Sequence, residues 1–133
     1  MTMRHLGYGP HLMLDLNSCN GEILDDLEAC FSLLRELPAM VGMTAITQPY
    51  VFRYASPVPE DDGITGVTII AESHISLHTY PKKCFAFVDV FSCKPFDVKK
   101  ASDHIIQFFG SKLPEIHIQE RGMQFPSSVR MAS

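Results

Sequence analysis

Along the 133-residue chain the spacing of apolar positions changes several times, and each change marks an element. Leu12, Leu14 and Leu16 alternate with His11, Met13 and Asp15, the period of a half-buried strand. Residues 17–21 are a cluster of turn formers. Over residues 22–37 the period lengthens: Ile23, Leu24, Leu27, Phe31 and Leu34 recur at three- and four-residue spacing and predict a helix. Asp25, Asp26 and Glu28 place negative charge in its early turns, and Pro38 is expected to end it. Residues 44–54 read as a strand that Pro49 makes an edge or a break. Residues 55–63, with Glu60, Asp61 and Asp62 among prolines and a glycine, read as a loop. Residues 66–71 are an apolar, β-branched run and predict a buried strand. After a break near Ser73, residues 75–79 resume as strand. Over residues 84–91, Phe85, Phe87, Asp89 and Phe91 face one way, and Cys84, Ala86, Val88 and Val90 the other. Asp97 can cap a second helix running to Phe109, with Val98, Ala101, Ile105 and Phe109 as its apolar stripe and Gly110 as its stop. Ile116 and Ile118 mark a last strand before Arg121-Gly122, and residues 127–133 are expected to be mobile.

Many strands and two amphipathic helices define an α+β fold: a two-layer sandwich of an antiparallel sheet with helices on one face. The whole chain, 1–133, fits one domain. The alternating phenylalanines make the other sheet face apolar too. A second copy of the sheet is the expected cover, in a homodimer formed through or beside the sheet.

Composition narrows the classes. Apolar residues are 46% and charged residues 20% of the chain, the values of a soluble globular protein. The net charge of −4, with no basic run longer than Lys82-Lys83 or Lys99-Lys100, excludes a nucleic-acid surface. No stretch of about 18 apolar residues exists, so no membrane span is expected. Met1 to His5 carries no secretory signal, and a cytoplasmic location with free thiols is expected for Cys19, Cys30, Cys84 and Cys93. No two of the four cysteines form a Cys-x-x-Cys pair. Cys19, Cys30 and Cys84 read as small buried apolar residues.

The segment richest in chemistry is Ala71-Glu72-Ser73-His74-Ile75-Ser76-Leu77-His78-Thr79-Tyr80-Pro81. It sets hydroxyls, two imidazoles and a carboxylate between apolar strands. If Ser73, Ile75 and Leu77 face one side of a strand, His74, Ser76 and His78 face the other. A kink at Ser73 would let its hydroxyl join the histidines. A serine hydrolase would want a Gly-x-Ser-x-Gly frame, which Ser73 lacks. A metal site could use His74 and His78, but the His-Glu-x-x-His pattern is absent and no further ligand follows at a usual spacing. A polar strand edge with satisfied histidines is the third possibility. The residues alone leave these open.

Glu72-Ser73-His74-Ile75-Ser76-Leu77-His78-Thr79, followed by Pro81, resembles the processing site of bacterial-type S-adenosylmethionine decarboxylases. Asp89-Val90-Phe91-Ser92-Cys93 resembles a second motif of that family, at the family's distance. Gly9-Pro10-His11-Leu12, Gly63-Ile64-Thr65-Gly66 and Glu120-Arg121-Gly122 are similar to its first strand, its approach to the cleavage site and its closing motif. The resemblance covers nearly the whole chain. It implies a self-processing proenzyme. Ser73 attacks the carbonyl of Glu72, the chain divides into a β chain, 1–72, and an α chain, 73–133, and Ser73 becomes a pyruvoyl group. The implied substrate is amino-acid-like and joins that group as a Schiff base before losing carbon dioxide. The resemblance gives His78 a proton transfer in processing, Cys93 the role of proton donor and Thr65 that of a hydroxyl assisting cleavage. It requires no metal. S-adenosylmethionine, decarboxylated for polyamine synthesis, is the leading substrate; some relatives act on arginine or ornithine, and a non-catalytic homologue is a third possibility.

Two departures bear on the substrate. The family's Trp-Pro-Glu is here Tyr80-Pro81-Lys82, and lysine donates hydrogen bonds where a ribose-binding glutamate would accept them. The aromatic residues near the position where the family stacks adenine are Phe52 and Tyr54, and either could equally belong to the core. For a cationic substrate side chain, Asp15, Asp61, Asp62 and Asp89 are the available acids.

Overall fold

The computed structural model describes residues 7–126. Its strands are β1 (Gly9–Asn17), β2 (Tyr50–Tyr54), β3 (Gly63–Ile70), β4 (Ser73–Tyr80), β5 (Phe85–Phe91) and β6 (Leu113–Arg121). Its helices are α1 (Gly21–Leu24), α2 (Leu27–Met40) and α3 (Val98–Phe109). The strands form one sheet in the order β2-β3-β4-β5-β1-β6, with every neighbouring pair antiparallel.

Alternation decides what each strand buries. Leu12, Leu14, Leu16, Ile75, Leu77, Ala86, Val88 and Val90 are fully buried on one face. Against them pack Cys30, Leu33, Leu34 and Leu37 of α2 and Ala101, Ile105 and Phe109 of α3. The helices therefore cover one face only, as the α+β reading requires. Thr79 ties the layers together: its hydroxyl donates to the Leu24 carbonyl at 2.8 Å and accepts from the Ile64 amide at 3.0 Å. Leu77 lies on a central strand with no accessible surface. Leu77→Ala should cost about 2–5 kcal/mol, read as a lowered denaturant midpoint of the full chain.

Several boundaries differ from the sequence reading. The predicted helix over 22–37 is two helices. Asn20 caps α1, and the Asp26 side chain accepts from the Ala29 amide at 3.0 Å to start α2 afresh. The acids that supplied early charge thus break the helix instead. Pro38 lies inside α2 rather than ending it. In the last turn a missing N–H forfeits one backbone bond and its buried ring adds to the core. Of residues 44–54 only β2 is strand; before it a single bridge joins Ala45 to Ile70, and Pro49 has no amide to extend the ladder. Gly63 already belongs to β3. Cys84 is exposed, not buried: it ends the 3₁₀ turn Pro81–Lys83 in the left-handed region, at φ 51°, one residue before β5 begins. Cys19 and Cys30 are buried as expected, and burial raises their thiols to about 11 and about 12. The tail 127–133 lies outside the described residues. Among those described, no helix is long and apolar enough to cross a membrane.

Candidate active site

The face without helices is built from cross-strand rows. One row runs Phe52, Thr65, His78, Phe87, Asp15, Glu115 from β2 to β6. A second row runs Ile69, His74, Phe91, His11, Gln119. Tyr50, Phe52 and Tyr54 on β2 are each more than half exposed. An antiparallel sheet that leaves such aromatics in water is an incomplete layer.

Ser73 begins β4 straight after the turn at Ala71 and Glu72. Glu72 has φ 63°, a left-handed conformation that glycine or asparagine ordinarily supplies in such turns. For a glutamate it costs on the order of 1–2 kcal/mol, stored beside the Glu72–Ser73 bond. The Ser73 hydroxyl accepts a hydrogen bond from the Cys93 amide at 2.9 Å. The Cys93 thiol reaches the Ala71 carbonyl at 3.8 Å. Ser73, Cys93 and the left-handed Glu72 backbone thus form one cluster where the β3–β4 turn meets the end of β5.

His78 and Thr65 form another. They are register partners, and Thr65 Oγ1 lies 3.2 Å from His78 Nδ1, a hydrogen bond whose direction the imidazole tautomer sets. A cavity of about 480 Å³ opens beside them, lined by Tyr54, Ser56, Asp61, Gly63, Thr65, His78, Thr79 and Tyr80. Phe52 flanks Thr65 on the next strand. Five steps along β4 separate Ser73 from His78, roughly 16 Å at about 3.3 Å per step. Within one chain the two clusters stay apart.

Other predicted residues take different places. Lys82 does not line this cavity; its ammonium donates to the Pro59 carbonyl at 3.2 Å. Lys83 pairs with Asp61 at 2.6 Å, so the two lysines fasten the 55–63 loop to the turn after β4. Asp61 borders the cavity, while Asp15 lies further along the row of His78, beyond Phe87, and Asp89 lies on a different row. Among the described residues, His74 and His78 do not converge with a third metal ligand. Among the described residues, the group of three that approach within 4.8 Å is Asp15, Glu115 and His117, on β1 and β6.

The open face also joins residues to which the motifs gave no role. Phe91 sits between His11 and His74, with ring centroids 5.5 and 5.7 Å away, and the Arg121 guanidinium lies 4.8 Å over its centre. Arg121 Nη1 donates to His11 Nδ1 at 3.3 Å, which leaves the His11 proton on Nε2, 3.9 Å from Asp89. Burial pushes the His11 imidazole below its usual range, against the pull of Asp89. The alternation of β1 and β5 could have placed His11 and Phe91 on this face, but nothing in sequence joined them to Arg121.

A strained turn before a serine, a thiol at that serine and a histidine–hydroxyl pair on neighbouring strands are the chemical features that this α+β sheet brings out. Comparison with known proteins gives the family. The fold is similar to the crystal structure of the adenosylmethionine decarboxylase from Aquifex aeolicus, with TM-score 0.74 and 30% identity, covering 87% of this chain and 92% of that one. The S-adenosylmethionine decarboxylase family model matches residues 10–122. The S-adenosylmethionine decarboxylase proenzyme of Thermodesulfovibrio yellowstonii is 39% identical over 116 residues, 86% of this chain and 82% of that protein. That of Pyrococcus furiosus is 34% identical over 123 residues, 92% of this chain and 83% of that protein. The chain belongs to the S-adenosylmethionine decarboxylase family.

Proposed function

We propose that this protein cleaves itself between Glu72 and Ser73, converts Ser73 to a pyruvoyl group and decarboxylates S-adenosylmethionine. The observation that carries the proposal is the corner around Ser73. A nucleophilic hydroxyl follows a glutamate held in the left-handed region, and the Cys93 amide and thiol contact both sides of the bond between them. The implied group fits these residues. Ser73 supplies its atoms at a strand end where a new amino terminus can form without disturbing the ladder. Once formed, the pyruvoyl group withdraws electrons from the substrate as carbon dioxide leaves.

The remaining work falls to side chains of the open face. The Cys93 amide orients the Ser73 oxygen toward the Glu72 carbonyl. A serine hydroxyl is a weak nucleophile, so such alignment is needed. Cys93 then serves as the proton donor of decarboxylation, its thiol lying at the Ser73 corner. His78 moves a proton during processing, and Thr65 fixes its ring. The distance between the clusters supports a homodimer in which open faces meet and His78 and Thr65 of one copy serve Ser73 of the other. The exposed aromatics of β2 support the same packing. Phe52 and Tyr54 are then placed to bind an adenine-sized ring beside His78.

The substrate follows the names of the relatives, for both proteins aligned above are S-adenosylmethionine decarboxylase proenzymes. Lys82, bonded to Pro59, stands outside the cavity at His78 and so does not oppose this substrate. Carbon dioxide release from S-adenosylmethionine, arginine and ornithine, measured side by side on purified protein, tests the reading. Release from S-adenosylmethionine at least about tenfold above the others is expected, a difference of only 1.4 kcal/mol in transition-state binding. Preference for either amino acid would overturn the substrate, and no release from any would overturn the activity.

A further inference from the structure

The cavity beside His78 has a single carboxylate among its lining residues, that of Asp61. Lys83 holds one side of it: the ammonium lies 2.6 Å from Oδ1, and that oxygen is sealed from water. The Asp61 side chain is still 34% exposed, so its exposure falls on the side of Oδ2. The loop fixes this pose. Pro59–Asp61 is a 3₁₀ turn, and the Asp62 side chain accepts from the Ser56 amide at 2.6 Å. The serine and threonine hydroxyls of the lining are already engaged. Ser56 Oγ accepts from the Val58 amide at 3.0 Å, Thr65 pairs with His78, and Thr79 serves Ile64 and Leu24. Tyr54 adds an exposed aromatic ring to the same wall. The cavity therefore offers an incoming molecule one ring face and one carboxylate oxygen without a partner.

We propose that Asp61 is a specificity-determining residue, its Oδ2 accepting hydrogen bonds from the ribose diol of a nucleoside whose base lies against Tyr54. The inference rests on the S-adenosylmethionine reading above and names the group that recognises the nucleoside part of that substrate. A carboxylate only accepts, and a vicinal diol has two hydroxyl protons to give. An acceptor that carries charge makes the stronger bond. The ion pair decides against the other substrate class. A guanidinium or ammonium side chain would need an acid whose charge is free to attract it. In this cavity the one carboxylate already faces the Lys83 ammonium, which offsets its charge while leaving Oδ2 able to accept. Glu60 and Asp62 belong to the same loop but do not line the cavity.

The test compares the binding of 5′-methylthioadenosine, which carries base and diol but no amino acid, with that of its 2′,3′-dideoxy counterpart. Both are titrated by calorimetry into the full-length protein and into its Asp61→Ala and Asp61→Asn variants. The unsubstituted protein should bind the diol compound about tenfold more tightly, the worth of a hydrogen bond to a charged acceptor. Asp61→Ala should erase that preference and leave the affinity for the dideoxy compound unchanged. Asp61→Asn, which keeps a neutral oxygen acceptor, should retain part of it. A preference that survives Asp61→Ala would overturn the assignment. An equal loss for both compounds would also overturn it, since that is the mark of a residue that only holds the loop. Displacement of the nucleoside by arginine, abolished in Asp61→Ala, would give Asp61 to a cation instead and overturn it as well. If neither nucleoside binds to protein that still releases carbon dioxide from S-adenosylmethionine, the assignment falls while the proposed activity stands.

Discussion

Ser73→Ala should leave the chain whole, a single denatured mass of 14.9 kDa, with carbon dioxide release lost to the uncatalysed background. Enzymatic accelerations begin at about 10⁶-fold, so the loss should be at least of that order. Alanine removes the one atom that can attack the Glu72 carbonyl. It removes little else: Ser73 is only half-buried at the first residue of β4, and its hydroxyl serves one amide, that of Cys93. The lost bond is worth about 1 kcal/mol, small against the stability of a domain this size. The variant should therefore fold, and its inactivity would report chemistry rather than collapse. The unsubstituted protein should give two masses, for residues 1–72 and 73–133, after complete processing. An intact mass in fully active protein would refute the pyruvoyl proposal outright, whatever the substrate.

The strands were legible because one face is buried. Along β1 and β5 the alternation of leucine or valine with polar and aromatic residues gave the correct faces, and Asp97 and Gly110 do cap α3. Local cues failed where two signals overlapped. Ile23, Leu24 and Leu27 keep helical spacing straight through the break between α1 and α2. Only Asp26, acting as a cap, marks that break. Cys84 continued the alternation of β5 by one residue, but the chain there is still turning in the left-handed region. In the site, short motifs exposed the pairs that lie close together, Ser73 with Cys93 and Thr65 with His78. They could not join His11 and Phe91 to Arg121, whose guanidinium reaches over the Phe91 ring from the far end of β6. Lys82, a candidate substrate contact by its motif position, donates to the Pro59 carbonyl of a neighbouring loop, a bond that no local pattern disclosed.

The separation of the two close pairs leads to the other large expected effect. Ser73→Ala and His78→Ala proteins, each inactive alone, should regain activity when co-expressed. In a mixed dimer with meeting open faces, one site combines Ser73 from the His78→Ala chain with His78 from the Ser73→Ala chain. The second site lacks both. With random pairing of the two chains, about a quarter of all sites should be intact, since a two-fold dimer repeats the same contact twice. Cleavage should appear only in the His78→Ala chain, which alone retains the nucleophile, and differently tagged chains would make that visible by mass. If His78 instead served Ser73 of its own chain, the mixture would stay uncleaved and inactive. That arrangement would have to close roughly 16 Å along an extended strand. A β-strand cannot shorten by that much without giving up the pairing of β4 with β3 and β5, which buries Ile75 and Leu77 in the core. Complementation is therefore the expected outcome if, as proposed, His78 of one copy serves Ser73 of the other.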